Sequence, residues 1–148
     1  MKREEFKISI DAPPQKVWEL LWGDETYPLW TSVFSPGSRA ETDWQKGSKV
    51  LFLNNDNEGM VSTVAENIPN EFMSFEHLGT VLKGGIEDLD SPQMKEWAGA
   101  KENYTLKPAN GKTELVVDID ITEEHQDYFK ETWPKALDKL KELAERKN

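Results

Sequence analysis

The start of the chain constrains the fold most, because a short strand runs directly into a helix that begins at proline. Apolar and polar residues alternate over 6–10, which is the pattern of a half-buried strand. Pro14 follows, and the apolar residues of 17–21 then fall at helical spacing. Proline suits a first helical turn because it gives up no helical hydrogen bond and its φ is already set. The sequence therefore predicts a strand, a helix and, over 24–30, a short second helix.

Strands separated by turn residues fill the middle of the chain. Asn, Gly and Pro cluster between the apolar segments, and Asn and Gly tolerate the positive φ that tight hairpins require. Because consecutive strands joined by short turns pair in opposite directions, these segments predict an antiparallel meander. The predicted strands are 38–44, 48–54, 59–67, 71–78, 102–107 and 113–121.

The longest predicted helix begins after Thr122. Its apolar residues recur every three or four positions and form one stripe, which predicts packing against the sheet. Pro134 lies inside this segment and is predicted to kink or restart the helix, because proline cannot donate the helical hydrogen bond. The stripe consists of Phe129, Trp133, Ala136, Leu137, Leu140, Leu143 and Ala144.

Charge and composition limit what the chain binds. It carries 18 Lys and Arg against 28 Asp and Glu, and the net charge of −10 disfavours nucleic-acid backbones and anionic membranes as partners. The absence of Cys excludes disulfides and thiolate chemistry. The sequence has no phosphate-binding loop, zinc motif or nucleophile elbow, so we predict no cofactor and no metal site. It also has no apolar signal region and no apolar run of membrane-spanning length, and we expect a cytoplasmic protein.

Several short motifs occur in an order that resembles one protein family. Residues 10–18 read Ile-Asp-Ala-Pro-Pro-Gln-Lys-Val-Trp, Trp30 closes the second predicted helix, and 110–115 read Asn-Gly-Lys-Thr-Glu-Leu. Together with Trp133, this order resembles the START-like (SRPBCC) superfamily, in the branch homologous to the heat-shock-protein-90 ATPase activator. The resemblance implies an α+β helix-grip fold, in which a curved antiparallel sheet wraps around a long C-terminal helix and two short helices follow the first strand. It implies one such domain over 1–148.

The resemblance also implies a cavity between the sheet and the C-terminal helix, which takes a small apolar or amphipathic molecule. Concave apolar sites with few polar groups are the usual form of ligand pockets. The alternative is that the same side chains pack against one another and leave no cavity. The residues predicted to line the cavity are Phe52, Val61, Phe72, Phe75, Trp97, Tyr104, Val117, Phe129, Trp133 and Leu137.

Residues 79–100 interrupt the predicted meander. They contain Gly79, Gly84 and Gly85, an acidic run and a short predicted helix that carries Trp97. Long excursions inside compact domains are often functional. We therefore expect a flap over the cavity, with the glycines as hinges and Trp97 as its contact.

Three functions stay open at this point. The leading hypothesis is ligand binding without catalysis, and the second is a chaperone-associated or other protein-interaction module. The third is a cyclase- or hydrolase-like enzyme that uses a polar residue in the cavity, for which Glu76, His77 and Tyr104 are the candidates. Glu76 and His77 alternate along one strand, so only one of them can face inward, and the sequence leaves open which one.

Overall fold

The computed structural model describes residues 2–146, which form eight strands and four helices. The helices are α1 (Pro14–Trp22), α2 (Tyr27–Thr31), α3 (Pro92–Trp97) and α4 (Glu123–Glu145). The strands are β1 (Lys2–Ile10), β2 (Arg39–Glu41), β3 (Lys49–Leu53), β4 (Gly59–Ile68), β5 (Phe72–Leu82), β6 (Ile86–Asp88), β7 (Lys101–Ala109) and β8 (Lys112–Ile121).

The strands pair antiparallel in the order β1-β8-β7-β5-β4-β3-β2, and the short β6 pairs with β5 beside this series. Asn57, Asn70 and Asn110 adopt positive φ at three of the predicted turns. The arrangement confirms the predicted α+β helix-grip fold, with two short helices after the first strand and a long helix at the C-terminal end. The prediction omitted β6, because three residues without alternation give no strand pattern. It also ended β5 at 78, whereas the strand extends to Leu82.

Two irregularities in the pairing of β4 with β5 decide which side chains face α4. The register shifts between Val61 and Ser62 and again between Val64 and Glu66. Each shift leaves one residue unpaired, bends the strand and resets the alternation of faces. The side of the sheet turned towards α4, called the concave face below, carries from β3, β4 and β5 the residues Val50, Phe52, Met60, Ser62, Val64, Met73, Phe75 and His77.

Three helices cover the concave face. The indole N–H of Trp30, in α2, donates to the carbonyl oxygen of Leu21 at 3.1 Å and so ties α2 to α1. Helix α4 runs without a break through Pro134, so the predicted restart does not occur. The buried residues on both sides of this proline hold the helix against the sheet. Within residues 2–146, no helix combines the length and apolar character needed to cross a membrane.

A buried hydrogen bond joins the last hairpin to the segment before α1. Thr113 is fully buried, and its Oγ1 donates to the carbonyl oxygen of Ala12 at 2.7 Å. Because the two residues lie 101 positions apart, this bond fixes β8 against the start of the helical layer. Its loss would leave a buried carbonyl oxygen without a partner.

We predict that Thr113→Val lowers the free energy of unfolding by about 1–3 kcal/mol, because valine keeps the side-chain shape and leaves the Ala12 carbonyl unpaired. Thr105→Val in β7 is the matched control, since Thr105 is half-buried and its hydroxyl forms no hydrogen bond within the described part of the chain. Urea denaturation of both variants measures the difference. Equal stabilities would contradict the structural role of the Thr113 bond.

Candidate functional site

A cavity of about 280 Å³ lies between the concave face and the N-terminal half of α4. It is partly open to solvent, and most of its wall is apolar. Its wall comes from α2 and the loop after it, the β3–β4 hairpin, β5, α3, β7, the end of β8 and α4. The lining residues are Tyr27, Trp30, Thr31, Phe34, Ser35, Ser38, Phe52, Leu53, Asn54, Glu58, Gly59, Met60, His77, Trp97, Glu102, Tyr104, Ile119, Asp120, Ile121, Thr122, His125, Tyr128, Phe129 and Trp133.

Aromatic rings brace the deep wall of the cavity. The ring of Trp133, in α4, lies 5.0 Å from that of Phe34, 6.0 Å from that of Tyr104 and 6.3 Å from that of Trp30, measured between centroids. Such tilted and edge-to-face pairs fix the orientation of each ring. Because Trp30 is also held by its hydrogen bond to α1, the wall keeps its shape without a ligand.

One polar cluster interrupts this apolar wall. The Nε2 atom of His77 lies 3.1 Å from Oε1 of Glu102, and the Nδ1 atom of His77 lies 2.6 Å from Oγ of Ser62. The hydroxyl of Tyr104 donates to Oε2 of Glu102. With Glu102 ionised, both of its oxygens accept a hydrogen bond, and a neutral His77 accepts one from Ser62. The cluster therefore satisfies its own hydrogen bonds while it presents Glu102 to the cavity.

Residues 79–100 close one side of this cluster. The ring of Trp97 stacks on that of His77 at 5.2 Å and 7°. The backbone amide of Gly99 donates to the carbonyl oxygen of His77, and the amide of His77 donates to that of Ala100, both at 2.8 Å. These bonds fix the C-terminal end of the segment to β5 and place the Trp97 ring at the cavity.

The predicted hinge glycines differ in their surroundings. Gly84 and Gly85 form the turn between β5 and β6, with φ of 85° and 82°. Gly79 instead lies inside β5, paired with Val61. A Cβ atom at Gly79 would lie 2.2 Å from the carbonyl oxygen of Asp88, so glycine permits a close approach of β6 at this point rather than a bend.

Burial controls the acidity of two phenols in the cavity wall. It raises the pKa of the Tyr104 phenol well above the ordinary value of 10.0, and the Glu102 carboxylate raises that pKa further. Burial and the same carboxylate also raise the pKa of Tyr27. Both phenols therefore stay protonated at neutral pH, and neither supplies a phenolate as base or nucleophile.

The structure brings about half of the predicted lining residues together at the cavity and places the others elsewhere. Alternation along their strands places Val61, Phe72 and the candidate Glu76 on the opposite face of the sheet. Phe75 and Val117, on the concave face, and Leu137, in α4, lie in the core beside the cavity. Those at its wall are Phe52, Trp97, Tyr104, Phe129 and Trp133, with the candidate His77.

The sequence predictions missed Tyr27, Trp30 and Glu102 as cavity residues. The pattern assigns Tyr27 and Trp30 only to a helix, because nothing in it shows that this helix closes the end of the sheet. Glu102 stands at the first position of a predicted strand and gives no signal by itself. The inward position of Tyr104, two residues along β7, would have placed Glu102 on the same face.

The geometry does not place a serine nucleophile in the cavity. Ser62, His77 and Glu102 follow the bonding order of a nucleophile, base and orienting carboxylate. The hydroxyl at the nucleophile position is fully buried, however, and does not reach the cavity. Within the part of the chain that the structure describes, no three His, Asp or Glu side chains are grouped closely enough to hold a metal ion.

Most of the chain matches one family model. The family model described as Activator of Hsp90 ATPase homolog 1-like protein matches residues 11–145. The chain belongs to this family. No curated protein sequence matches it.

Several solved structures share the architecture. Protein MLL2253 from Mesorhizobium loti superposes with a TM-score of 0.77 at 17% identity, over 99% of this chain and 99% of that one. The Aha1 dimer from Colwellia psychrerythraea gives a TM-score of 0.72 at 20% identity, over 98% and 97%. DynU16, a protein of the dynemicin biosynthetic locus, gives 0.71 at 16% identity, over 95% of this chain and 46% of that one. At these identities the likeness shows the fold alone.

The raised pKa of the Tyr27 phenol predicts a loss of stability in alkaline solution. As the pH rises above about 10, the unfolded chain releases this proton and the folded protein does not, so the free energy of unfolding falls. Tyr27→Phe removes the titrating group and keeps the ring, and no hydrogen bond of the Tyr27 hydroxyl is present in the described structure to be lost. We expect the variant to lose less stability than the wild type between neutral and alkaline pH, measured by urea denaturation. Parallel pH profiles would contradict the burial of this phenol.

Proposed function

We propose that this protein binds a small amphipathic molecule in the cavity, with the polar end of the molecule at Glu102 and the apolar part against the aromatic wall. The observation that carries the proposal is the combination of a preformed apolar cavity with a single buried polar cluster. Ligand pockets typically have volumes of about 300–1,000 Å³ and a few placed polar groups. A cavity of about 280 Å³ is close to the lower end of that range and suits a compact ligand.

Membership of the family supports a binding role without identifying the ligand. DynU16 has the same fold and is a protein of a biosynthetic locus, which is consistent with small-molecule partners for this architecture. The cytoplasmic location expected from the sequence fits such a role and is part of the proposal.

Binding without catalysis is favoured over catalysis, because the candidate catalytic groups His77 and Tyr104 already have partners. Both nitrogens of His77 are engaged, one by Ser62 and one by Glu102. The phenol of Tyr104 donates to Glu102 and has a raised pKa. A general base needs a free acceptor within reach of the substrate. Neither nitrogen of His77 is free to serve as one.

Residues 79–100 act in this proposal as a cover over the polar end. Helix α3 has no buried residue, so only a small apolar contact holds it on the sheet. Elements with few buried contacts open at low free-energy cost. The residues between β6, which pairs with β5, and Gly99 can therefore swing away, while the hydrogen bonds of Gly99 and His77 hold the C-terminal end of the segment.

A blocking substitution tests whether the cavity binds a ligand. Met60 lies beside Phe52, its partner across the β3–β4 pair, and is half-buried at the cavity wall. Met60→Trp therefore fills part of the cavity with little disturbance of the core. We expect naphthalen-1-ylmethanol to bind the wild type and to lose at least about tenfold in affinity in the variant. Titration followed by nuclear magnetic resonance measures binding, and the indole N–H signals of Trp30, Trp97 and Trp133 should shift.

The controls separate cavity binding from contact with the surface. Lys107→Trp places the same side chain on an exposed part of β7 and should leave the affinity unchanged. The indole signal of Trp18, which is not at the cavity, should stay in place. If neither this alcohol nor a wider panel of lipids and aromatics shifts the cavity tryptophans, the binding proposal is wrong.

A further inference from the structure

We infer that the ligand is an organic cation, an amine or quaternary ammonium compound with an apolar body. This inference rests on the proposed function and adds the charge of the ligand. It follows from three properties of the cavity: the charges of its wall, the hydrogen-bond acceptors at its polar end, and the faces of its aromatic rings.

The charged side chains of the wall are predominantly acidic. Glu58, Glu102 and Asp120 line the cavity, and no Lys or Arg is among the described lining residues. Asp120 is paired with Arg3, at 2.8 Å, so its charge is largely compensated. Glu58 and Glu102 remain, and Glu58 takes part in no ion pair within residues 2–146.

Among the described lining residues, only His77 and His125 could oppose this charge. His125 bonds to the hydroxyl of Thr122 near the start of α4, away from Glu102. His77 contacts Glu102 directly, and it compensates the carboxylate only when both of its nitrogens are protonated. Ser62 can donate to Nδ1 when the ring is neutral, and the polar end of the cavity then carries a net negative charge.

The polar end also has unused acceptors. Each carboxylate oxygen of Glu102 accepts one hydrogen bond, from His77 or Tyr104, and has capacity for another. Tyr27 is 9% exposed, lines the cavity and has no hydrogen-bond partner for its hydroxyl among the described residues. Tyr27 and Glu102 line the same cavity. An ammonium group has three donors and no acceptor, so it matches this set.

Aromatic faces surround the same end of the cavity. The rings of Tyr27 and Phe52 lie 6.2 Å apart, Phe52 lies 6.2 Å from His77, and the Trp97 ring stacks on His77. Ring faces attract cations, and Trp does so most strongly. A carboxylate ligand would lie beside the negative charge of Glu102 and these rings, with no Lys or Arg among the described lining residues to compensate it. The cavity therefore selects for positive charge.

Three ligands of one shape test the charge preference. 4-Phenylbutylammonium, 4-phenylbutanol and 4-phenylbutyrate each carry a phenyl ring on a four-carbon chain and end in a cationic, a neutral and an anionic group, and at about pH 8 the amine is protonated, as a lysine side chain is. We expect calorimetric titration to show that the ammonium compound binds at least about tenfold more tightly than the alcohol. The carboxylate should bind most weakly.

Two variants locate the effect. Glu102→Gln keeps the shape and removes the charge at the cavity, so the ammonium compound should fall to the affinity of the alcohol, while the alcohol changes little. Glu76→Gln alters the net charge of the protein equally but lies on the opposite face of the sheet, paired with Lys101. It should retain the full preference. If Glu102→Gln does not fold, the order of the three affinities in the wild type decides.

The outcomes separate this inference from the binding proposal. Equal binding of alcohol and ammonium compound, or a preference that survives in Glu102→Gln, overturns the cationic ligand. The inference is also overturned if the wild type binds naphthalen-1-ylmethanol but none of the three phenylbutyl compounds. Only the absence of all binding, naphthalen-1-ylmethanol included, removes the proposed function as well.

Discussion

The burial of the Glu102 carboxylate in an apolar wall is the constraint on which the site depends. A buried carboxylate is stable only when hydrogen-bond donors surround it. His77 and Tyr104 supply these donors from β5 and β7, and Ser62 orients His77 from β4. Four side chains on three neighbouring strands thus form one polar cluster at the cavity.

The aromatic packing makes this polar cluster useful, because it keeps the space in front of it open. Trp30 and Trp133 are braced by other rings and, for Trp30, by a hydrogen bond to α1. Rings fixed in this way cannot collapse into the cavity as flexible aliphatic side chains would. The Trp97 ring stacks on His77 and so covers part of the polar cluster. The protein therefore holds a charged group, partly shielded from water, at the end of an aromatic cavity.

Sequence patterns predicted the architecture well because it depends on periodicity and turns. The proline-initiated α1, the long α4 and most strands follow directly from apolar spacing and from Asn and Gly at turns. The order of these elements resembles the helix-grip fold. That resemblance implies a cavity, with Phe129, Trp133 and Trp97 at its wall. Each of these is a large aromatic at a helix position that the fold directs to the end of the sheet.

The details of the site were less predictable, because they depend on strand faces and on long-range placement. The unpaired residues in β4 and β5 reset the alternation, so counting from the strand ends assigns Val61 to the wrong face. The face of His77 follows only from the actual pairing with Ser62. Glu102, in β7, and Tyr27, in α2, line the same cavity although they lie 75 positions apart in the sequence. No local pattern encodes such a placement.

A crystal structure of the protein with 4-phenylbutylammonium tests the central claim most directly, because it locates the charged group of the ligand. The account predicts that the ammonium nitrogen lies at about 3 Å from a carboxylate oxygen of Glu102, with the phenyl ring against Trp133 and Trp30. A ligand bound outside the cavity, or one with its ammonium group directed away from Glu102, would contradict it.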